Sequence, residues 1–327
     1  MNRRDSISGL LALGMAAQSP GGFAQAVAST KRVGFLSLGT LENILRKGVP
    51  PLLAKLGWLE GKNISYEWRN ASGDPTALPQ LAAGILALGP DLIVADTNIA
   101  ALAAMRLTRT TPIAVFNSLD PVHAGLAKTL VRPGANATGL IWGEPQLAAK
   151  IVDFLHQAVP RVRRLAVLYD PSYPGMRPYI DADTAAANAL RMECREYHLR
   201  SAEELTGVLE SLRKDEIDAI KAALGGYFLV DPLRQVLDFS SRYRVPTVSV
   251  AHFTVQMGAL LAYYPSDSER LNRLSLLLDK LLRGARPSET PFEYPSRFDL
   301  AVNLRTAKAL GITIPQSVLL SANSMIE

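Results

Sequence analysis

The chain has 327 residues, a formal charge of +5, 48% hydrophobic residues and a single cysteine, Cys194. One thiol excludes an internal disulfide, and a mild positive excess without a basic run or interleaved aromatics argues against nucleic acid as a partner. The length exceeds what one hydrophobic core usually serves, so two domains are expected.

The first residues, "MNRRDSISGLLALGMAAQSPGGFAQA", place Arg3 and Arg4 before a short apolar run, 7–17, and then small residues at Ala24 and Ala26. That is the layout of a secretory signal, and residues 1–26 are expected to be removed after Ala26, which makes the protein periplasmic. The apolar run is shorter than the about 20 residues that span a bilayer. Paired arginines fit a twin-arginine leader, although Ser6 stands where that signal carries a large apolar residue. No cysteine follows the run, which excludes a lipid anchor there.

From residue 31 short apolar runs alternate with amphipathic segments. "RVGFLSL" (32–38), "NISYEWR" (63–69), "DLIVADT" (91–97) and "PIAVFNS" (112–118) read as strands bounded by turn signals. Between them, 41–56, 78–88 and 99–107 read as helices, with a kink or fresh start expected at Pro50 and Pro51. The pattern resumes with strands at 137–142, 164–170, 192–199, 217–224 and 246–250, and helices at 144–158, 179–191, 202–213 and 232–243. Residues 266–282 form one long helix, and "RGARPSETPFEYPSRF" after it reads as a return path. Such alternation predicts an α/β fold of two similar doubly wound parallel-sheet lobes joined by a multi-strand hinge. The boundaries expected are 31–120 with 253–288 for the first lobe, and 121–252 with 289–327 for the second.

Enzyme motifs are missing: there is no Gly-x-Ser-x-Gly elbow, phosphate-binding loop, His-Glu-x-x-His or cysteine pair. The histidines, at 123, 156, 198 and 252, lack metal-ligand spacing, so neither a metal nor a cofactor is expected and the chain reads as a binder rather than an enzyme. What recurs is a polar or aromatic residue where a strand ends, the place where ligands bind in parallel α/β sheets. In the first lobe these are Ser37, Thr40, Thr97, Asn98, Asn117 and Asp120; in the second they are Tyr169, Tyr173, Gly226, Tyr227, His252 and Phe253. A hydroxyl or amide there serves either as a helix N-cap or as a ligand contact. Asp120, just before Pro121, favours the cap. The aromatic residues either pack in the core or cover an apolar ligand face.

The segments "LGWLEGKNISYEWR", "LPQLAAGILALGPDLIVADTNIAALAA", "DPVHAGLAKTLVRPGANATGL" and "TAKALGITIPQSVLLSANSMIE" resemble, in this order, the substrate-binding proteins of ABC transporters, the family that includes tryptophan-binding TrpX-like members. The resemblance implies a type I periplasmic-binding-protein fold with three crossovers and a ligand in the cleft. It also implies delivery of that ligand to an inner-membrane ABC permease. By position, Ser37, Thr97, Asn98, Asn117 and Asp120 are the implied first-lobe wall. Two departures stand out. Gly226-Tyr227 replaces a usual Asp-Pro, removing an acidic partner for a ligand ammonium, and "YYPSD" (263–267) replaces Tyr-Gly-Pro-Asp.

The expected function is therefore capture of a small molecule, aromatic or carboxylate-bearing with amino acids among the candidates, by a monomer that hands it to the permease. A periplasmic sensor presenting its ligand to a membrane receptor is the alternative.

Overall fold

The computed structural model describes residues 30–39, 41–223 and 230–327. The leader 1–26, with its expected cleavage point, and Thr40, Gly226 and Tyr227 lie outside the described residues. The first lobe is built on strands β1 (Lys31–Ser37), β2 (Ile64–Asn70), β3 (Leu92–Ala95), β4 (Ile113–Ser118) and β5 (Ala137–Ile141), in the order β2-β1-β3-β4-β5. All neighbours in this sheet are parallel.

Side chains alternate across a strand, so each face collects its own core. Val33, Phe35, Val94, Ala114 and Phe116 meet helix α1 (Leu41–Lys55) through Leu45, Val49 and Leu53. Leu36, Ile93, Ala95 and Val115 on the other face meet α2 (Leu78–Ala87) and α3 (Asn98–Leu107). Gly34 shows how closely α2 sits: a Cβ there would run into the Ile85 side chain. No fresh helix start occurs at Pro50 and Pro51; both lie inside one α1. Proline removes an amide donor without forcing a new start, and burial of Val49 and Leu53 keeps the turn in place.

The second lobe takes α4 (Pro145–Ala148), α5 (Lys150–Ala158), β6 (Arg164–Tyr169), α6 (Arg177–Ala189), β7 (Glu193–His198), α7 (Leu205–Lys214), β8 (Ala219–Ala222), α8 (Val230–Tyr243), β9 (Thr247–Ser249), α9 (His252–Met257) and β10 (Leu261–Pro265). After α10 (Asp267–Leu282) come β11 (Phe298–Asn303), α11 (Leu304–Leu310), α12 (Gln316–Ser321) and β12 (Ser324–Ile326). The sheet order is β12-β11-β10-β9-β8-β6-β7. Only the β10–β11 pair among its described strands is antiparallel.

Strand pairing moves the expected lobe boundaries. β5 pairs with β4, so the chain leaves the first lobe after residue 141 and not at 120. β10, expected in the first lobe from residue 253, joins the second sheet, and α9 packs against it. α10 then returns to the first lobe, where Leu274, Leu277, Leu278 and Leu281 close the core over Phe35 and Phe116. Glu293 still bridges to Leu140, so the last crossing falls after it rather than at 288. The reason is physical: an apolar run announces a strand, but not the sheet that supplies its neighbour. Three crossovers result, near Trp142, Ser266 and Tyr294 to Arg297, and the two lobes face one another across them.

Candidate functional site

A cavity of about 340 Å³ lies between the lobes, in the range of small-molecule sites. Leu38, Leu41, Ile44 and Leu119 line it from the first lobe, and Tyr173, Met176, Tyr179 and Phe253 from the second. Trp142 lines it from the first crossover, edge-on to Tyr179 at 6.0 Å between ring centroids. The walls are therefore mostly apolar and aromatic, with charge confined to a few buried places.

The first is Asp96, 1% exposed at the end of β3. It accepts from the Ser37 hydroxyl at 2.5 Å and from the Leu38 amide at 2.9 Å. Burial raises its pKa against those bonds. The second is Arg270, one turn into α10 and 4% exposed. Its guanidinium lies over the Phe116 ring at 4.1 Å and donates to the Phe116 carbonyl at 3.1 Å and the Asn117 side chain at 2.8 Å. Its anionic neighbour Asp267 is 3.6 Å away, with a side chain about one-third exposed, and Arg270 Nε has no partner among the described residues. Burial pushes the Arg270 pKa down to about 10, so it remains charged at neutral pH.

The third is the pair Lys221 and Asp183, both buried and both lining the cavity. Lys221 shares a face of β8 with Ala219 and Ala223, which pack into the core beneath α5 and α6, and Asp183 comes down from α6 to meet it. Burial raises the Asp183 pKa, opposed by the Lys221 charge.

Among the expected site residues, Thr97, Asn117, Tyr173, His252 and Phe253 line the cavity. Thr97 also caps α3, accepting from the Ala100 amide, so it is both a cap and a lining residue. His252 stacks on Tyr264 with centroids 5.3 Å apart. Ser37, Asn98, Asp120 and Tyr169 do not line it. Ser37 holds Asp96. Asp120 accepts from the His123 amide at 3.0 Å and stabilises its own turn. Tyr169 lies outside the cleft, with its hydroxyl donating to Glu196 at 2.5 Å and accepting from Arg177 at 3.0 Å.

Asn98 has a different task from the one expected. It is fully buried, accepts from the Ser118 hydroxyl at 2.7 Å, and donates to the carbonyls of Leu119 at 2.5 Å and Pro174 at 2.9 Å. Pro174 belongs to the second lobe, so this amide fastens the two lobes together.

The Tyr169 cluster yields a pH prediction. Hydrogen bonding to Arg177 lowers the Glu196 pKa from 4.5 to about 2. A depressed carboxylate contributes stability that is full above its unfolded pKa and lost as pH falls through the folded one. Glu196→Gln should therefore lower the melting temperature by a few degrees at neutral pH, with the difference shrinking below pH 4.5 and gone near pH 2. Partial exposure of both partners keeps the effect to about 1 kcal/mol.

Asp96, Trp142, Asp183, Lys221 and Arg270 were not among the expected residues. Lys221 carried a signal, because a lysine inside the apolar run "DAIKAAL" is costly to bury unless it is paired.

Residues 35–326 match the family described as ABC transporter substrate binding protein. The chain is 25% identical over 266 residues to the tyrosine-binding protein of Clostridioides difficile (strain R20291), covering 81% of this chain and 76% of that one. It is similar in structure to the ABC domain in complex with L-Trp from Streptococcus pneumonia, with a TM-score of 0.84 at 24% identity, covering 91% and 100% of the two chains. Against the ligand-free, open structure of a substrate binding protein with adhesive properties from Clostridium difficile the TM-score is 0.67, again at 24% identity and with 91% and 99% covered. The match runs through both lobes and every crossover of a type I periplasmic-binding-protein fold, and on that ground the chain belongs to the ABC transporter substrate-binding protein family.

Proposed function

We propose that the protein captures a small aromatic carboxylate between its lobes and delivers it to an inner-membrane ABC permease, working as a monomer in the periplasm after loss of residues 1–26. The observation that carries the ligand class is Arg270. A buried cation is stable only when paired and hydrogen-bonded, yet Asp267, the acidic group paired with it, stands 3.6 Å off and its Nε is unmet among the described residues. A ligand carboxylate supplies the missing partner, with a geometry that suits the guanidinium fork. Trp142, Tyr173, Tyr179 and Phe253 then enclose the ring. L-tyrosine and L-tryptophan, after which one relative is named and with which another is in complex, carry the same two groups.

Each ligand stabilises the folded state by RT ln(1 + [L]/Kd). In a thermal-shift series, phenylpropanoate, benzoate, L-tryptophan and L-tyrosine are compared with the amide counterpart of each, at equal concentration. The carboxylates should raise the melting temperature and the amides should not. Equal shifts from acids and amides would overturn the assignment of Arg270 to a carboxylate.

A further inference from the structure

We infer that Lys221 and Asp183 form a second polar subsite in the same cleft, one that reads a hydroxyl on the ligand's aromatic ring. The inference rests on the carboxylate reading of Arg270 and extends it to a substrate class: hydroxylated aromatic acids.

The pair is unusual in its setting. β8 is buried along its length, and the neighbours of Lys221 on its own face are Ala219 and Ala223. Both charged side chains are nearly inaccessible, 2% exposed for Lys221 and 1% for Asp183. Asp183 Oδ1 accepts from the Lys221 ammonium, while Oδ2 is buried with no hydrogen-bond partner among the described residues. A carboxylate oxygen left in that state is costly. Both residues line the cavity, so a bound molecule can reach them.

The chemistry selects the partner. An ammonium placed on Asp183 would stand beside the Lys221 ammonium, a like-charge contact in a poorly screened place. A second carboxylate would meet Lys221 but repel Asp183 and leave Oδ2 unmet. A neutral hydroxyl satisfies both, donating its proton toward Asp183 Oδ2 and presenting its lone pairs to Lys221, whose ammonium has three donors. A phenol does this at the end of a flat ring, and the cavity walls between the two subsites are aromatic and aliphatic. Arg270 sits on the helix packed against the first lobe and Lys221 on a strand of the second. A ligand that reaches both gains its full affinity only when the lobes are closed.

The test uses two pairs of molecules that differ by one hydroxyl: para-hydroxyphenylpropanoate against phenylpropanoate, and L-tyrosine against L-phenylalanine, titrated calorimetrically into the wild-type chain. In at least one pair the hydroxylated member should bind about 100-fold more tightly, because a site built to hydrogen-bond a hydroxyl rejects the analogue that lacks it. In the double variant Asp183→Leu/Lys221→Met, which replaces the buried pair with apolar groups of similar size, that ratio should fall toward one. Equal affinity within both pairs in the wild type overturns the subsite and leaves the carboxylate reading standing, with no variant needed. A ratio that survives in the folded double variant overturns it too, since the hydroxyl is then read elsewhere. Binding of none of the four, with benzoate and L-tryptophan also failing to bind, overturns both readings.

Discussion

Replacing Arg270 by methionine is expected to weaken binding of an aromatic carboxylate by about 100-fold or more. Truncating one partner of a buried, hydrogen-bonded charge pair costs about 2 to 5 kcal/mol, and each 1.4 kcal/mol is about tenfold in affinity. The loss should appear mainly in the dissociation rate, since the group is buried rather than steering approach from the rim. Arg270→Lys separates charge from geometry. Lysine keeps the positive charge but loses the planar fork and the stacking over Phe116, so it should recover only part of the loss. Calorimetric titration of both variants with a carboxylate found in the thermal-shift series gives the measurement. An unchanged affinity in a folded Arg270→Met protein would remove the carboxylate from this place.

The second large effect is expected at Gly175, and it acts through closure rather than contact with the ligand. Gly175 has φ +85°, a backbone region that glycine occupies freely and alanine does not. A Cβ there would also lie 2.8 Å from the Leu119 carbonyl carbon, closer still to its oxygen, and 3.3 Å from Asn98 Nδ2. Those atoms belong to the segment on the other side of the lobe contact that Asn98 fastens to Pro174. Because backbone atoms cannot give way, Gly175→Ala should hold the lobes apart and weaken every ligand by about 100-fold or more, whatever its charge, since only the closed fraction binds well. Small-angle scattering should show a ligand-saturated variant that stays as extended as the free one. Compaction on ligand addition equal to that of the wild type would refute this role.

Much of the architecture was legible because it rests on local patterns. The strands β1 to β9 and the helices between them follow from apolar runs and helical spacing, and the two-lobe α/β arrangement follows from their alternation. The elements missed were short or bound by distant partners. α9 has only 6 residues, and β11 pairs antiparallel with β10 across the whole of α10, a pairing that no local signal carries. At the site, strand ends pointed to the right region but not to the roles within it. Ser37 and Asn98 are polar groups at strand ends that bond inside the protein, and Asp120 bonds within its own turn. Arg270 read as one more charge on an amphipathic helix, and only packing against Phe116 turns it inward. Asp183 hid in the same way on α6, its partner 38 positions further along the chain.

The passage from β10 into α10 has a mechanical consequence. Pro265, Asp267 and Arg270 all line the cavity, and so does Trp142 at the first crossing. A molecule held in this cavity lies close to the pivot, where a rotation moves atoms least, while the outer rims of the lobes lie at the far end of the lever. A small angular adjustment set by the shape of the bound molecule is therefore magnified at the rim, which is the surface another protein can touch.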